Sequence, residues 1–349
     1  MATLFITEQG ATLRKEANRL VVERHEERLL EIQDFKVERV VVFGNVQLTT
    51  QAMTFLVERG IHTAFLSTHG RLKARLIPLE SKNSLLRIRQ YERTRDRAFA
   101  LSVAKAIVGA KIANSVELLR RHQRNHEGSD FSLETSQLSF LNEEAAARET
   151  IDSLRGIEGR AAAVYFQGFA RALRRTLQFT KRTRRPPQDP VNALLSFGYT
   201  LLYGEAIASL SSAGFDSYLG YYHSFRYGRC SLALDLMEEF RPLIVDRLVL
   251  KMVNLEVVKN DDFESDSNAG VNLKPNARKR FFRDYETVMA GRFINKAAGE
   301  ETSLRRALHQ QALVLQRAVI EGSPYVPFGS VAHSSTHGVD KFAAPDIWV

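Results

Sequence analysis

One histidine and three carboxylates stand close together in HSFRYGRCSLALDLMEEF, residues 223–240. Asp235, Glu238 and Glu239 are at i, i+3 and i+4, the spacing that stacks side chains on one face of a helix. His223 precedes them in an aromatic and glycine-rich loop, GYYHSFRYGR. A neutral imidazole with carboxylates is hard, oxygen-rich ligation, suited to Mg2+ or Mn2+ rather than to structural zinc. The competing reading is a solvated acidic face that happens to follow a histidine. Leu232, Leu234, Leu236, Met237 and Phe240 argue against it, because they leave little of the segment free of apolar neighbours. Glu238 and Glu239 lie about 100° apart around a helix, so at most one of them points with Asp235 and His223. Glu238, one turn beyond Asp235, is the better placed. Pro242 offers no N–H to the carbonyl of residue 238 and crowds it, which predicts a kink or loosening at Glu238. Simple punctuation between two helices explains the proline equally well.

A divalent cation calls for a further anionic ligand from elsewhere. In LRGIEGRAAAVYF, Glu158 has Gly156 and Gly159 beside it and three alanines beyond, so another backbone or a substrate can come close. A solvated glutamate in a first helical turn is the other reading, and pattern alone leaves the two open.

The elements that must carry these residues fall into two textures. TLFIT, RLVVE, RLLEI and VERVVVF are short β-branched runs separated by turn residues, followed by a short amphipathic helix in TTQAMTFLVERG and a return to strand in IHTAFLS. The helix has Thr49 or Thr50 to cap it and Gly60 to stop it. HGRLKARL reads as a final hairpin arm. From Leu85 the pattern turns helical: one or two long helices to about Asn125, a polar loop from His126 to Leu138, and a helix in EEAAARETIDSLRG. A further helix is expected after Gly156. Asp189-Pro190 signals the start of another that Gly214 ends, and the last helix stops near Gly322.

At 349 residues, with 44% hydrophobic and 26% charged content, the chain has the composition of a soluble globular protein of one or two domains. It has no run of about 18 apolar residues, so no membrane-spanning helix is expected. MATLFITEQG lacks the basic and apolar regions of a signal peptide, and the single Cys230 fits a reducing cytoplasm. The net charge of +9 favours polyanions. Its excess is concentrated in Arg171, Arg174, Arg175, Lys181, Arg182, Arg184 and Arg185, and again in Arg278, Lys279, Arg280 and Arg283, interleaved with Phe281 and Phe282. Nucleic-acid contact is the better reading of this clustering, against two solvated helix ends.

LRGIEGRAAAVYF, RRPPQDPVNALLSFGYTLLYGEA and GYYHSFRYGRCSLALDLMEEFRPLIVDRL, in this order and spacing, resemble the CRISPR adaptation integrases, the Cas-one family. VVFGNVQLTTQAMTFLVERGIHTAFLS and the basic KPNARKRFF share in the resemblance, which spans roughly residues 1–320 and leaves out the tail. It implies an α+β chain with a small β-rich dimerisation domain over residues 1–78, a linker over 79–90 and a larger all-α catalytic domain over 91–322. Residues 323–349 lack periodicity and are expected to be disordered in isolation. The resemblance further implies Glu158, His223 and Glu238 as catalytic metal ligands and Asp235 as an auxiliary carboxylate. Asn192 and Tyr165 match recurrent positions near DNA or in support of the site. Ser217 departs from the family, many members of which have proline there.

The implied activity is insertion of new spacer DNA into a CRISPR array. A 3′-hydroxyl of double-stranded DNA attacks a phosphodiester at the CRISPR repeat, with Mg2+ or Mn2+ as cofactor. The implied assembly is a homodimer with a small dimeric partner protein, Cas-two, and no membrane. A plain divalent-metal nuclease and a non-catalytic DNA-binding scaffold are the alternatives.

Overall fold

The β-branched runs near the N-terminus pair into two mixed sheets. Their strands are β1 (Ala2–Ile6), β2 (Thr12–Glu16), β3 (Arg19–Arg24), β4 (Glu27–Gln33), β5 (Val37–Phe43), β6 (Gln47–Leu48), β7 (His62–Leu66) and β8 (Leu72–Leu76). One sheet has the order β4-β3-β2-β6. The other runs Ile347–Trp348, β1, β5, β7, β8, parallel except for the β7–β8 pair. Alternation along the strands sends Leu4, Ile6, Leu13, Leu20, Val22, Val40 and Val42 into one core. Helix α1 (Thr50–Glu58) adds Phe55 and Leu56 to it. The Thr49 hydroxyl accepts the Ala52 N–H at 3.2 Å, and Gly60 follows the helix at φ +66°, where a side chain would be strained. This computed structural model describes residues 2–68, 72–76, 83–174, 177–183, 186–266, 270–295, 299–329 and 347–348.

The chain divides into two compact units, Met1–Glu80 with Asp340–Val349, and Ser81–Val339. The second holds α2 (Ser84–Arg95), α3 (Arg97–Asn125), α4 (Ser132–Ala146), α5 (Ile151–Ala172), α6 (Pro190–Ala213), α7 (Ser231–Glu238), α8 (Arg247–Asn254), α9 (Pro275–Ala290) and α10 (Leu304–Glu321). Two short antiparallel ribbons, β9 (Phe263–Asp266) with β10 (Gly270–Leu273) and β11 (Arg292–Asn295) with β12 (Glu300–Ser303), accompany them. A β-rich N-terminal domain followed by a larger α-helical one is thus the fold, as the sequence implies.

Local signals place several helix ends. Asp189 caps α6 by accepting the Asn192 N–H at 2.7 Å, and Gly214 ends it at φ +91°. Asp96 caps α3 and separates it from α2, so the long helical stretch is two helices. Residues 84–90, read from sequence as linker, belong to α2. The polar loop is shorter than expected, since α4 already begins at Ser132. Gly156 and Gly159 do not interrupt α5, which runs as one helix because Leu154, Ile157, Ala161 and Tyr165 bury a continuous face. Helix α3 packs on α4, α5 and α7. Helices α3 and α6 contain windows apolar enough to cross a membrane, but 61% and 67% of those windows lie buried within the protein.

The stretch read as an aperiodic tail is described only in part. Tyr325 and Phe328 are buried in the helical unit, and Ile347–Trp348 pair with β1. An extended segment can be fixed by a few side chains without any period for a sequence reading to find. Residues 330–346 and 349 lie outside the described residues.

Candidate functional site

The loop between α6 and α7 is folded around one carboxylate. Asp235, on the first turns of α7, is wholly enclosed. It accepts the backbone N–H groups of Tyr221 at 2.6 Å, Tyr222 at 3.0 Å and His223 at 2.8 Å. Gly220 makes this cradle possible: a Cβ there would lie 2.8 Å from Asp235 Oδ2 and 2.9 Å from the backbone carbon of Ser231. The His223 Nδ1 also lies 2.7 Å from Asp235 Oδ1. A carboxylate can only accept, so Nδ1 carries the proton and Nε2 presents its lone pair. That Nε2 is 3.8 Å from Glu238 Oε1.

Glu238 ends α7, where the α-helical pattern gives way to a π-helical turn over Pro242–Asp246. Its carboxylate meets Arg241 Nη2 at 3.1 Å and Lys111 Nζ at 2.8 Å. The same ammonium pairs with Glu158 Oε1, so α3 brings one cation between a carboxylate of α5 and one of α7. Burial opposes the charge on Glu238, but Arg241, Lys111 and His223 outweigh it and hold its pKa well below the usual carboxylate range. Burial likewise works against the Lys111 ammonium, and the facing Glu238 and Glu158 raise its pKa in spite of that. Glu239 turns away from this group. It is enclosed with Tyr325 and Phe328, and burial pushes its pKa up to about 8.

A cavity of about 30 Å3, lined by Lys111, Glu158, Tyr165, Arg182, Tyr199, Arg241 and Asp246 among others, opens beside these side chains. At its far side Asp246 accepts the Tyr165 hydroxyl at 2.7 Å and that of Tyr199. Burial raises Asp246 to about 6 despite these bonds. The guanidinium groups of Arg241 and Arg182 lie over the Tyr199 ring, at 4.8 and 5.4 Å from its centroid.

Thus Glu158 and Glu238, far apart in sequence, meet through Lys111, and His223 faces Glu238 with Asp235 behind the histidine. Among the described residues no three His, Cys, Asp or Glu side chains are grouped closely enough to hold a metal ion as they stand. The donor chemistry nonetheless fits a hard divalent cation: two carboxylates already share one positive charge, and an imidazole nitrogen faces one of them with its other nitrogen fixed. Lys111 and Arg241 escaped the sequence reading. Arg241 lies in the E-E-F-R-P stretch beside the acidic cluster, whereas Lys111, inside a long apolar helix, carries no local signal.

The basic residues separate into two groups. Arg174, Lys181 and Lys279 are exposed. Arg171 is exposed as well but pairs with Glu134 and donates to the Asp130 carbonyl at 2.7 Å, while Arg280 pairs with Asp262. Arg182 donates to Asn192 Oδ1 at 2.7 Å and Ser196 Oγ at 3.0 Å, and Arg278 is partly buried. Phe281 and Phe282 are core residues packed on Phe197, not rings available to a base. Arg175, Arg184 and Arg185 lie outside the described residues.

The sequence matches the family described as CRISPR associated protein Cas1 over residues 4–287. It is 37% identical over 331 residues to the CRISPR-associated endonuclease Cas1 3 of Thermus thermophilus, covering 94% of this chain and 97% of that protein. It is 38% identical over 333 residues to a CRISPR-associated exonuclease Cas4/endonuclease Cas1 fusion of Geobacter sulfurreducens, covering 93% of this chain and 59% of the fusion. A chain of a solved Cas6-RT-Cas1–Cas2 complex superposes with a TM-score of 0.77 at 27% identity, over 94% of this chain and 36% of that one.

Proposed function

The chain belongs to the Cas1 family of CRISPR-associated proteins, and on that premise we propose that it is a divalent-metal-dependent DNA integrase of CRISPR adaptation. Its substrates would be double-stranded DNA with free 3′-hydroxyl ends and CRISPR repeat DNA, in the cytoplasm. A homodimer with a Cas2-type partner would present them, a reading supported by the likeness to a chain of a complex that contains Cas2. The observation that carries the proposal is the convergence of Glu158 and Glu238 on one partly buried cation, Lys111, with His223 Nε2 alongside Glu238.

Glu158, His223 and Glu238 would hold Mg2+ or Mn2+, which when bound supplies Lewis acidity to the phosphodiester and polarises the attacking hydroxyl. Asp235 keeps the imidazole in the tautomer that leaves Nε2 free. Lys111 and Arg241 offset the repulsion between the acidic groups of the site. In the reaction, the 3′-oxygen of incoming DNA forms a new bond to phosphorus. The bond from that phosphorus to the 3′-oxygen of the target strand breaks, and the proton lost by the nucleophile is balanced by one gained on the released 3′-hydroxyl. Arg174, Lys181 and Lys279 would contact phosphates, as would Arg175, Arg184 and Arg185, without reading sequence.

The test is strand joining between a labelled duplex with free 3′ ends and a repeat-bearing plasmid, in the presence of the Cas2-type partner and Mn2+. Glu158→Ala, His223→Ala and Glu238→Ala should each abolish joining while DNA binding persists. Hydrolysis without any joined product would instead make the protein a nuclease. Unchanged activity in all three variants would make the acidic cluster structural.

A further inference from the structure

The buried carboxylate next to Glu238 faces the opposite way and meets a different element. Glu239 Oε2 accepts the backbone N–H of Phe328 at 2.6 Å, and Oε1 accepts the Tyr325 hydroxyl. The Phe328 ring stacks on Phe240, 4.9 Å between centroids and 18° between planes. Asn114 Nδ2 donates to the Glu239 carbonyl at 2.8 Å and to the Phe328 carbonyl at 3.1 Å, tying both to α3. From α10, Gln311 donates to the Tyr325 hydroxyl at 2.9 Å and to the Val326 carbonyl at 2.6 Å. The segment Tyr325–Phe328 is therefore a strap fastened to α10, α3 and the turn after α7.

That turn is where the α-helical pattern fails, because Pro242 cannot donate to the carbonyl of Glu238. The backbone under Glu238 is thus held in part by groups outside its own helix. Asn114 lies three residues beyond Lys111 on α3, so α3 engages this turn twice: Lys111 on the Glu238 side chain and Asn114 on the Glu239 carbonyl.

We propose that the strap Tyr325–Phe328 is a positioning element of the active site, setting the place of Glu238 through Glu239 and Phe240. The inference rests on the metal-site reading above. Groups that orient ligands typically change metal affinity by about 10–100-fold when removed.

The experiment is Mn2+ titration of the full chain by calorimetry, with metal-free duplex DNA binding measured on the same samples. Phe328→Ala and Glu239→Ala should weaken Mn2+ binding about 10-fold or more with DNA binding unchanged. Glu239→Gln, which keeps an oxygen for the Phe328 N–H, should restore most of the affinity. Should Phe328→Ala fail to fold, Tyr325→Phe removes one hydroxyl without opening a ring-sized hole and should weaken Mn2+ binding in the same direction. Wild-type Mn2+ affinity in every folded variant overturns the proposal. If the wild-type chain itself shows no Mn2+ uptake that Glu158→Ala removes, the metal-site reading falls and this inference falls with it.

Discussion

His223 Nδ1 lies 2.7 Å from Asp235 Oδ1, and the Asp235 carboxylate is shared with three backbone N–H groups of the loop that carries the histidine. One side chain therefore sets both the path of the loop and the tautomer of the ring. Asp235→Asn keeps the side chain's shape but replaces one acceptor oxygen by an NH2 group that faces two of these donors. Strand joining should fall about 10–100-fold, with a parallel loss of Mn2+ affinity. Activity and calorimetry on the same preparation check both.

Gly220 faces the other side of that cradle. An added methyl would stand 2.8 Å from Asp235 Oδ2 and against the backbone at Ser231, which cannot yield as a flexible side-chain end would. Gly220→Ala should cost about 1–3 kcal/mol of stability. It should also depress joining, whereas Gly156→Ala, where a methyl meets nothing within 4 Å, should do neither. Urea unfolding and the joining assay distinguish them.

Lys111 supplies the positive charge shared by Glu158 and Glu238. Lys111→Met leaves these carboxylates without it, and breaking a buried pair costs about 3 kcal/mol. Stability should drop in EDTA and recover on adding Mn2+ by more than it does in the wild type, since a cation would replace the lost charge. Urea melts with and without Mn2+ measure the difference.

Exposed and paired cations should differ in DNA binding. Lys181→Gln and Lys279→Gln should each lower the salt dependence of DNA affinity by about one unit for each phosphate left without its cation. Arg280→Gln, which breaks the pair with Asp262, should act mainly on stability. Binding isotherms across a salt series provide the comparison.

His122 is buried against His126, their rings 4.1 Å apart, and burial, His126 and Arg174 lower its pKa to about 4. The folded value lies below the ordinary 6.5, so the unfolded chain binds the proton more readily. The stability tied to neutral His122 is complete above about pH 6.5 and is lost as pH falls toward about 4. His122→Phe keeps a ring and should lose less stability between pH 7 and pH 5 than the wild type. Urea titrations at the two pH values test this.

Hydrogen-bonding and conformational signals confined to a few residues made much of the architecture legible in the sequence. Thr49 as a cap, Asp189-Pro190 as a start, and Gly60, Gly214 and Gly322 as stops all act through their own backbone neighbourhood, so their effect can be read where they stand. Helical spacing also showed that Glu238 and Glu239 must face different ways. Tertiary structure alone decided which distant groups each of them meets: Lys111 for one, Tyr325 and Phe328 for the other. It decided equally that α5 runs through two glycines, because buried packing along the helix outweighs their local cost. Lys111 and Glu158 are 47 residues apart, and Glu239 and Phe328 are 89 apart. Nothing local in the chain encodes such partnerships; they follow from the packing of whole helices, which places side chains together only once the core has formed.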